Sequence, residues 1–399
     1  MGKIHVIKPL INFMANSFLI YNLIISSILL VLFVICVWNL FILRKKNYKP
    51  IDDAELPFVS VLIPARNEEH NISNVLNSLL NQDYPDYEVI VLNDNSTDRT
   101  AEIIESIASK HSKLKMLNGK PLIEGWTGKC YACKQLYEES KGEYILFTDA
   151  DTIHNSNSIR DSVTVALNRN ADMLTLFPKT IMISFAEKII MPMLWFTMLM
   201  LLPFYFVNKK GFEKFSAGIG PFMLFKRKSY EKIGGHESVK NALVEDVWLA
   251  RKIKENGLRL IIEDGLNLLS VRMYRNFKEI WEGFSKNIFA GFEFSSFKLF
   301  IVITIYVLLF FMPFLLFFIE LSLQFSLNNI LILTGGQIVI LYLSRILISV
   351  RFKLGIISTI LHPIGAITVP VIAINSWIWI KGGKGAKWKD RTYTPKNLN

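Results

Sequence analysis

Cysteine is scarce in this sequence of 399 residues, which contains Cys36, Cys130 and Cys133 and no others. Cys36 lies inside an apolar run, where a thiol behaves as a small hydrophobic side chain. Cys130 and Cys133 form a single C-x-x-C pair, whereas a structural zinc site needs four ligands and usually two such pairs. We therefore interpret the pair as two thiols on one turn of a helix. The three cysteines give no indication of an extracellular fold that depends on disulfides.

The sequence also lacks a nucleic-acid-binding motif, although its net charge is +11. The basic residues are concentrated instead beside apolar segments, at Arg44, Lys45, Lys46 and Lys49 and at Lys381, Lys384, Lys387, Lys389 and Arg391. Basic clusters in such places are typical of contact with an anionic membrane leaflet. We therefore predict a membrane partner and no nucleic-acid partner. The sequence does not indicate the oligomeric state.

Long uncharged runs dominate a composition that is 51% hydrophobic. The runs that could cross a membrane are Ser17–Leu43, Leu299–Ile319, Leu321–Ser344 and Leu354–Ile380. Each can cross a hydrocarbon layer of about 30 Å, because a helix rises about 1.5 Å per residue. The first run is too long for an ordinary signal peptide and lacks a small-residue cleavage site. We predict that it is an uncleaved anchor, 17–43, after an N-terminal segment, 1–16.

The charges that flank the first run orient the chain. Arg44-Lys45-Lys46 comes directly after the run and only Lys3 and Lys8 precede it, which favours a cytoplasmic location for the region on its carboxyl side. We therefore predict a multi-pass protein of the cell membrane with region 44–298 in the cytoplasm. If each of the three runs in the membrane region 299–380 crosses once, the basic tail, 381–399, lies outside. That location contradicts the same preference of basic residues for the cytoplasmic side. Because the last run contains His362-Pro363 and Pro370, we expect it to be broken and to return the tail to the cytoplasmic side.

Region 44–298 alternates strand and helix patterns in its first half. The predicted strands are Phe58–Ile63, Tyr87–Leu92 and Tyr144–Phe147, and helices are predicted around Ile72–Leu80 and from Thr100. This alternation indicates an α/β domain with a mostly parallel, Rossmann-like sheet. Ligands bind such sheets beyond the carboxyl ends of the strands. Those ends carry polar or acidic residues: Arg66, Asn67 and Glu68, then Asp94 and Asp98, then Asp149 and Asp151.

One segment of this region, Ile189–Val207, is uncharged and aromatic and contains Pro192 and Pro203. It could be a buried core helix. We favour an interfacial segment that lies against the bilayer, because prolines near both ends suit a short re-entrant or in-plane piece.

The strongest local signal for chemistry is Asp149-Ala150-Asp151 at a strand end. Two carboxylates spaced in this way can hold Mg²⁺ or Mn²⁺ against the oxygens of a diphosphate leaving group. Lys129, in a glycine-containing turn that does not match a P-loop, is a candidate for the same phosphates. Glu245 and Asp246 open a helix, where a purely structural role beside the helix dipole is one reading and proton removal from an acceptor hydroxyl by Asp246 is the other.

These motifs, taken in order, carry a resemblance. Pro64-Ala65-Arg66-Asn67-Glu68-Glu69, Asn93-Asp94-Asn95-Ser96-Thr97-Asp98, Gly128-Lys129, Asp149-Ala150-Asp151 and Glu245-Asp246 resemble the ordered motifs of the inverting family 2 glycosyltransferases. The resemblance covers Phe58 to Gly291. It implies a GT-A fold, a nucleotide-sugar donor, Asp151 as the metal ligand with Asp149 beside it, and Asp246 as the general base. The donor-binding residues that it implies are Pro64, Ala65, Arg66, Glu68, Asp94 on the uracil or ribose side, Lys129 and Asp149.

A narrower resemblance rests on motifs in the second half of the chain. The motifs resemble those of bacterial transferases that glucosylate carotenoids or hopanoids: Gly220-Pro221-Phe222-Met223-Leu224-Phe225, Gly234-Gly235-His236-Glu237, Val271-Arg272-Met273-Tyr274, Gly283-Phe284-Ser285-Lys286-Asn287 and the tail Trp388-Lys389-Asp390-Arg391-Thr392-Tyr393. It implies glucose transfer from a UDP-sugar to a lipid acceptor, with Glu245, Trp248 and Arg272 on the acceptor side. A carboxylic acid acceptor is already ionised at neutral pH, whereas a hydroxyl needs a base, and both acceptors stay open.

Two other functions are compatible with parts of the sequence. A processive polysaccharide synthase shares the catalytic half, but three or four apolar segments are few for a channel, and the Gln-x-x-Arg-Trp motif of that family is absent. A non-catalytic membrane scaffold would be expected to have lost Asp94, Asp151 or Asp246, and all three are present. A lipid glycosyltransferase is therefore the function that the sequence favours.

Overall fold

The computed structural model describes residues 2–44, 47–324 and 329–393. Lys45, Lys46, part of the predicted run 321–344 and the end of the tail lie outside the described residues. The strands are β1 (Val59–Ala65), β2 (Tyr87–Asn93), β3 (Leu114–Asn118), β4 (Tyr144–Phe147), β5 (Thr152–His154), β6 (Met173–Thr180), β7 (Met223–Lys226), β8 (Leu260–Val271), β9 (Ala386–Trp388) and β10 (Arg391–Tyr393). The helices up to residue 255 are α1 (Gly2–Ile42), α2 (Ile72–Leu80), α3 (Thr100–Ala108), α4 (Gly128–Glu139), α5 (Ser158–Arg169), α6 (Phe185–Leu201), α7 (Phe204–Val207), α8 (Arg227–Lys232) and α9 (Glu245–Glu255). They are followed by α10 (Phe277–Gly291), α11 (Ser296–Phe310), α12 (Met312–Gln324), α13 (Asn329–Phe352), α14 (Ile356–Ile360) and α15 (His362–Lys381).

Eight strands form one sheet in the order β3-β2-β1-β4-β7-β6-β8-β5. The block β3-β2-β1-β4 is entirely parallel, and β6 pairs with β8 in parallel. The pairings of β7 with its two neighbours and of β5 with β8 are antiparallel. Strands β1, β2 and β4 are buried along almost their whole length because helices cover both faces of the sheet. The prediction of a mostly parallel α/β sheet combined with apolar helices is confirmed.

Within the described residues, three helices are long and apolar enough to cross a membrane: the part Asn16–Ile42 of α1, then α13 and α15. The pair α10 and α11 is bent by 116° and would make a fourth span only if counted as one. The predicted runs therefore have different limits in the structure. Phe311 separates α11 from α12 inside the run 299–319, and Leu361 separates α14 from α15 inside the run 354–380. The break expected in the last run is present, and it lies at Leu361, just before Pro363.

Helices α1 and α13 run side by side in the same direction. The Gln337 side chain of α13 donates to the Asn22 carbonyl at 3.0 Å, in the first half of α1. At the other end, Arg351 donates to the Leu43 carbonyl at 2.8 Å and pairs with Asp264 of β8. The carboxyl ends of both helices therefore lie against the sheet, so α14 begins on the side of the catalytic domain.

The segment 189–207 forms most of α6 and all of α7 and is mostly buried between candidate membrane helices. Trp195 and Phe196 are almost fully buried, and α6 packs against α1 and α15. The Asn39 side chain of α1 donates to the Leu199 and Leu202 carbonyls and accepts from the Phe204 amide, which satisfies the backbone where the helix ends before Pro203. Helices α1 and α15 thus bury much of this segment, and its position against the bilayer stays a prediction.

Candidate active site

One large cavity, of about 1410 Å³, lies beyond the carboxyl ends of β1 and β4. The end of β1 supplies Pro64, and the loops after β1 and β4 supply Arg66, Glu68, Asp149 and Asp151. The first residues of α4 and α9 supply Lys129, Glu245 and Asp246. Parallel neighbouring strands bring their carboxyl ends to one edge, so residues far apart in sequence meet there. Eight residues predicted as site residues thus line a single cavity.

Lys129 is the centre of the charged group in this cavity. Its Nζ lies 2.6 Å from Asp149 Oδ1 and 2.8 Å from Glu245 Oε1. Burial on its own would lower the pKa of Lys129, but the two carboxylates raise it well above its usual value. The lysine therefore stays charged and joins the loop after β4 to the start of α9.

Gly220 is the point at which three of these side chains converge. A Cβ atom on this residue would lie 3.2 Å from Asp149 Oδ2, 3.4 Å from Asp246 Oδ2 and 3.6 Å from Lys129 Nζ. The Gly220 amide also donates to Asp246 Oδ2 at 3.0 Å. The absence of a side chain thus lets the backbone enter the charged cluster and orient Asp246.

Asp246 is held by the backbone on both of its oxygens, since the Val247 amide donates to Oδ1 at 2.9 Å. Burial, and next the neighbouring Glu245, raise its pKa to about 7, although Lys129 acts in the opposite direction. A carboxylate with a pKa near neutrality can accept and release a proton under physiological conditions. The geometry is therefore that of a fixed, partly basic carboxylate at the cavity wall.

Asp151 has the environment of a cation ligand. Its Oδ1 is buried without a hydrogen-bond partner among the described residues. Burial, followed by Asp149 and Glu68, raises its pKa to about 7, so its negative charge lacks compensation. No group of three or more acidic, histidine or cysteine side chains that could hold a metal is found in the described residues. Asp149 and Asp151 nevertheless suit Mg²⁺ or Mn²⁺, because such ions take one or two carboxylates and complete their shell with water and substrate phosphates.

Apolar side chains of α6, α10 and α15 line another part of the cavity: Leu194, Trp195, Met198, Phe284, Ile288 and Trp379. Helix α10 also contributes the polar residues Glu279, Glu282, Lys286 and Asn287. Lys286 is close enough to Glu245, Asp149 and Asp246 to interact with their charges. The cavity therefore has a charged side at the sheet and an apolar side at the candidate membrane helices.

Four predicted site residues do not line the cavity. Ala65 is buried inside β1, and Trp248 stacks on Arg251. Arg272 donates to Glu187 at 2.9 Å, and this fully buried carboxylate forms the capping box at the start of α6. Arg272 therefore supports the fold of α6 and does not line this cavity.

Asp94 is the fourth, and the C-terminal tail covers it. Arg391 binds both carboxylate oxygens of Asp94, at 2.5 and 2.9 Å. Next to this pair, Asp390 accepts two hydrogen bonds from Arg66, at 2.8 and 2.6 Å. The guanidinium of Arg66 lowers the pKa of Asp390 to about 2. These tail residues belong to a motif that the sequence shows, but nothing in their spacing indicates that they fold back onto the site.

Comparisons with known proteins agree with this geometry. Residues 60–234 match the family described as Glycosyl transferase family 2. A 4,4'-diaponeurosporenoate glycosyltransferase of Staphylococcus aureus strain USA300 is 28% identical over 249 residues, which span 58% of this chain and 61% of that protein. The protein of the same description from strain MRSA252 is 27% identical over 357 residues, 84% of this chain and 88% of that protein.

A solved structure shows the same fold. The mannosyltransferase PcManGT from Pyrobaculum calidifontis, in complex with GDP-Man and Mn²⁺, superposes with a TM-score of 0.53 at 15% identity, covering 91% of this chain and 98% of that one. Together with the parallel block and the acidic strand ends, these similarities confirm the predicted family. Residues 60–234 form a family 2 glycosyltransferase domain with the GT-A fold, and the chain is akin to the carotenoid glycosyltransferases.

Proposed function

We propose that this chain transfers a hexose from a UDP-sugar to a membrane lipid of the carotenoid or polyisoprenoid class. We expect the hexose to be glucose. The observation that carries the proposal is the cavity itself, which joins a charged cluster at the sheet edge to an apolar wall formed by α6, α10 and α15. A nucleotide sugar suits the first side and a lipid suits the second. The names of the relatives, which describe carotenoid glycosyltransferases, support the acceptor class.

The donor's diphosphate is expected at Asp149, Asp151 and Lys129. Asp149 and Asp151 would hold Mg²⁺ or Mn²⁺, and the ion supplies positive charge that stabilises the diphosphate as it leaves. Lys129 stays protonated beside Asp149, so its ammonium group can donate to a phosphate oxygen. Arg66 and Glu68 lie at the same edge, together with Pro64, and complete the donor side.

The acceptor is expected between the apolar wall and Asp246. An acceptor oxygen attacks the anomeric carbon, the bond from that carbon to the diphosphate oxygen breaks, and its electron pair leaves with UDP, which inverts the configuration. If the acceptor is a hydroxyl, Asp246 takes its proton, which its pKa near 7 permits. If the acceptor is a carboxylate, no proton needs to be removed, and Asp246 contributes only to orientation.

We further propose that α1, the pair α11–α12 and α13 cross the cell membrane, and that α14–α15 enter it and return. The parallel course of α1 and α13 and the contacts of both with the sheet support this arrangement. So do the contacts of the tail with Arg66 and Asp94, which require both ends of α14–α15 to be near the catalytic domain. With the basic residues after α1, the catalytic domain and the tail would both be cytoplasmic.

The test is sugar transfer by the purified full chain in detergent or liposomes. UDP-glucose is supplied with Mg²⁺ or Mn²⁺ and with a polyisoprenoid acid or the matching alcohol. We expect a glycosylated lipid from the unaltered chain and at least about a hundredfold lower rate from Asp151→Ala, because a metal supplies several kcal/mol of charge stabilisation. Asp86→Ala, an exposed aspartate at the amino end of β2, is the matched control and should keep full activity. Equal rates in the two variants would contradict the role of Asp151.

A further inference from the structure

The C-terminal hairpin, β9–β10 with its turn, is bound to the donor side of the cavity by a set of charged contacts. Arg391 binds both oxygens of Asp94, and Asp390 binds Arg66. Lys389 lies 2.6 Å from Glu68 Oε1. Three consecutive residues of the tail therefore each pair with a different residue of the loops after β1 and β2.

These contacts change the expected role of Asp94. Its side chain is only 6% exposed and does not line the cavity, because the Arg391 guanidinium lies over it. Arg66 lines the cavity, but its guanidinium is already engaged, since Nη1 donates to the Asp94 carbonyl and Nε and Nη2 donate to Asp390. A nucleoside in the cavity would meet the hairpin before it could reach the Asp94 carboxylate.

Hairpin residues, in contrast, do face the cavity. Lys389 and Tyr393 line it, as do Lys384 and Gly385, which directly precede β9. The Tyr393 hydroxyl accepts from the Gly128 amide at 2.8 Å, directly before Lys129 at the start of α4. The hairpin thus brings a lysine and a tyrosine to the donor side, next to the lysine expected at the diphosphate.

We propose that the hairpin forms a wall of the donor site, and that Asp94 and Arg391 are positioning residues that dock it. In this arrangement Asp94 contributes to donor binding through Arg391 and the hairpin, without contact to the nucleoside. The inference rests on the proposed function, since it assumes a nucleotide donor in this cavity. It assigns a binding role to a tail that the family match at residues 60–234 does not reach.

A double-mutant cycle on the full chain tests the proposal. The dissociation constant of UDP, with Mg²⁺ or Mn²⁺ present, is measured by calorimetry for the unaltered chain, Asp94→Asn, Arg391→Gln and the double variant. We expect each single variant to weaken UDP binding by about tenfold, because a charge-assisted pair at low exposure is lost. The double variant should be no weaker than either single one, since both changes undo the same contact. Thr392→Ala, at an exposed position of the same hairpin, should bind UDP normally.

Other outcomes overturn the proposal in distinguishable ways. Additive losses in the double variant would mean that Asp94 contacts the nucleotide on its own. Tighter UDP binding by Arg391→Gln would mean that the hairpin blocks the site. Arg391→Lys keeps the positive charge and should bind UDP more tightly than Arg391→Gln does. A folded Arg391→Lys variant that does not bind UDP would also contradict docking by this charge. Failure of the unaltered chain to bind UDP would instead refute the proposed function.

Discussion

Replacement of Lys129 by methionine is the perturbation whose effect the structure defines best. The methionine keeps the length of the side chain and removes the charge that joins Asp149 to Glu245. Asp246 also loses a positive neighbour, so its pKa should rise further above about 7. Asp149, Glu245 and Asp246 would then lie close together without the lysine between them.

The size of the effect depends on exposure. Loss of one partner of a fully buried ion pair destabilises a protein by about 3–5 kcal/mol. The Lys129 side chain is 23% exposed and that of Glu245 is 6% exposed, so solvent screens the cluster in part. We expect about 2 kcal/mol for Lys129→Met. The matched control is Lys134→Met on the same helix, where the pair with Glu138 is more exposed and contributes about 0.5 kcal/mol or less.

The assay is unfolding of the purified chain in detergent, measured together with UDP binding. Lys129→Met should lower the unfolding midpoint clearly more than Lys134→Met and should weaken UDP binding, whereas Lys134→Met should bind UDP normally. If the two variants unfold alike, Lys129 does not hold the two loops together. If UDP binding is unchanged in Lys129→Met, the diphosphate does not lie beside this lysine.

Further predictions concern three other positions. Gly220→Ala should lower the rate of sugar transfer at least about tenfold, because the added Cβ would displace Asp149 and Asp246 from the positions that the transition state needs. Gly336→Ala is the control, since a Cβ there meets open space. Equal rates in the two variants would contradict the convergence of side chains at Gly220. With an alcohol acceptor, kcat/KM should fall as the pH drops below about 7, because Asp246 becomes protonated, while a carboxylate acceptor should lose less; identical profiles would exclude Asp246 as the base. Arg272→Ala should lower the unfolding midpoint, since Glu187 would stay buried without its partner, and should leave the acceptor KM unchanged; a raised KM in a stable variant would return Arg272 to the acceptor side.

The catalytic half could be predicted from sequence because its signals are local. Strands β1, β2 and β4 are short apolar runs that end in polar residues, and the parallel arrangement then brings Asp149 and Asp151 to the same edge as Arg66 and Glu68. Helix α9 begins at Glu245 as its acidic pair indicates. Here the periodicity of single elements carries the information, and one topological rule assembles them.

Contacts between distant segments could not be predicted in the same way. Arg272 looks like an acceptor-side residue in the sequence, but it pairs with Glu187, which lies 85 residues earlier. Asp94 and Arg391 are separated by 297 residues, and nothing in either motif indicates their pairing. The burial of α6 depends on α1 and α15, whose packing the apolar pattern of the segment itself does not reveal. The helix limits near Phe311 and Leu361 are set by backbone breaks within continuous hydrophobic runs.

The most direct measurement is mass spectrometry of lipids from cells that produce either the unaltered chain or Asp151→Ala at equal levels. We predict that a polyisoprenoid lipid gains the mass of one hexose only with the unaltered chain. The same gain in both cultures, or no hexose on any lipid while UDP is released from the sugar donor, would contradict transfer of a sugar to a membrane lipid by this site.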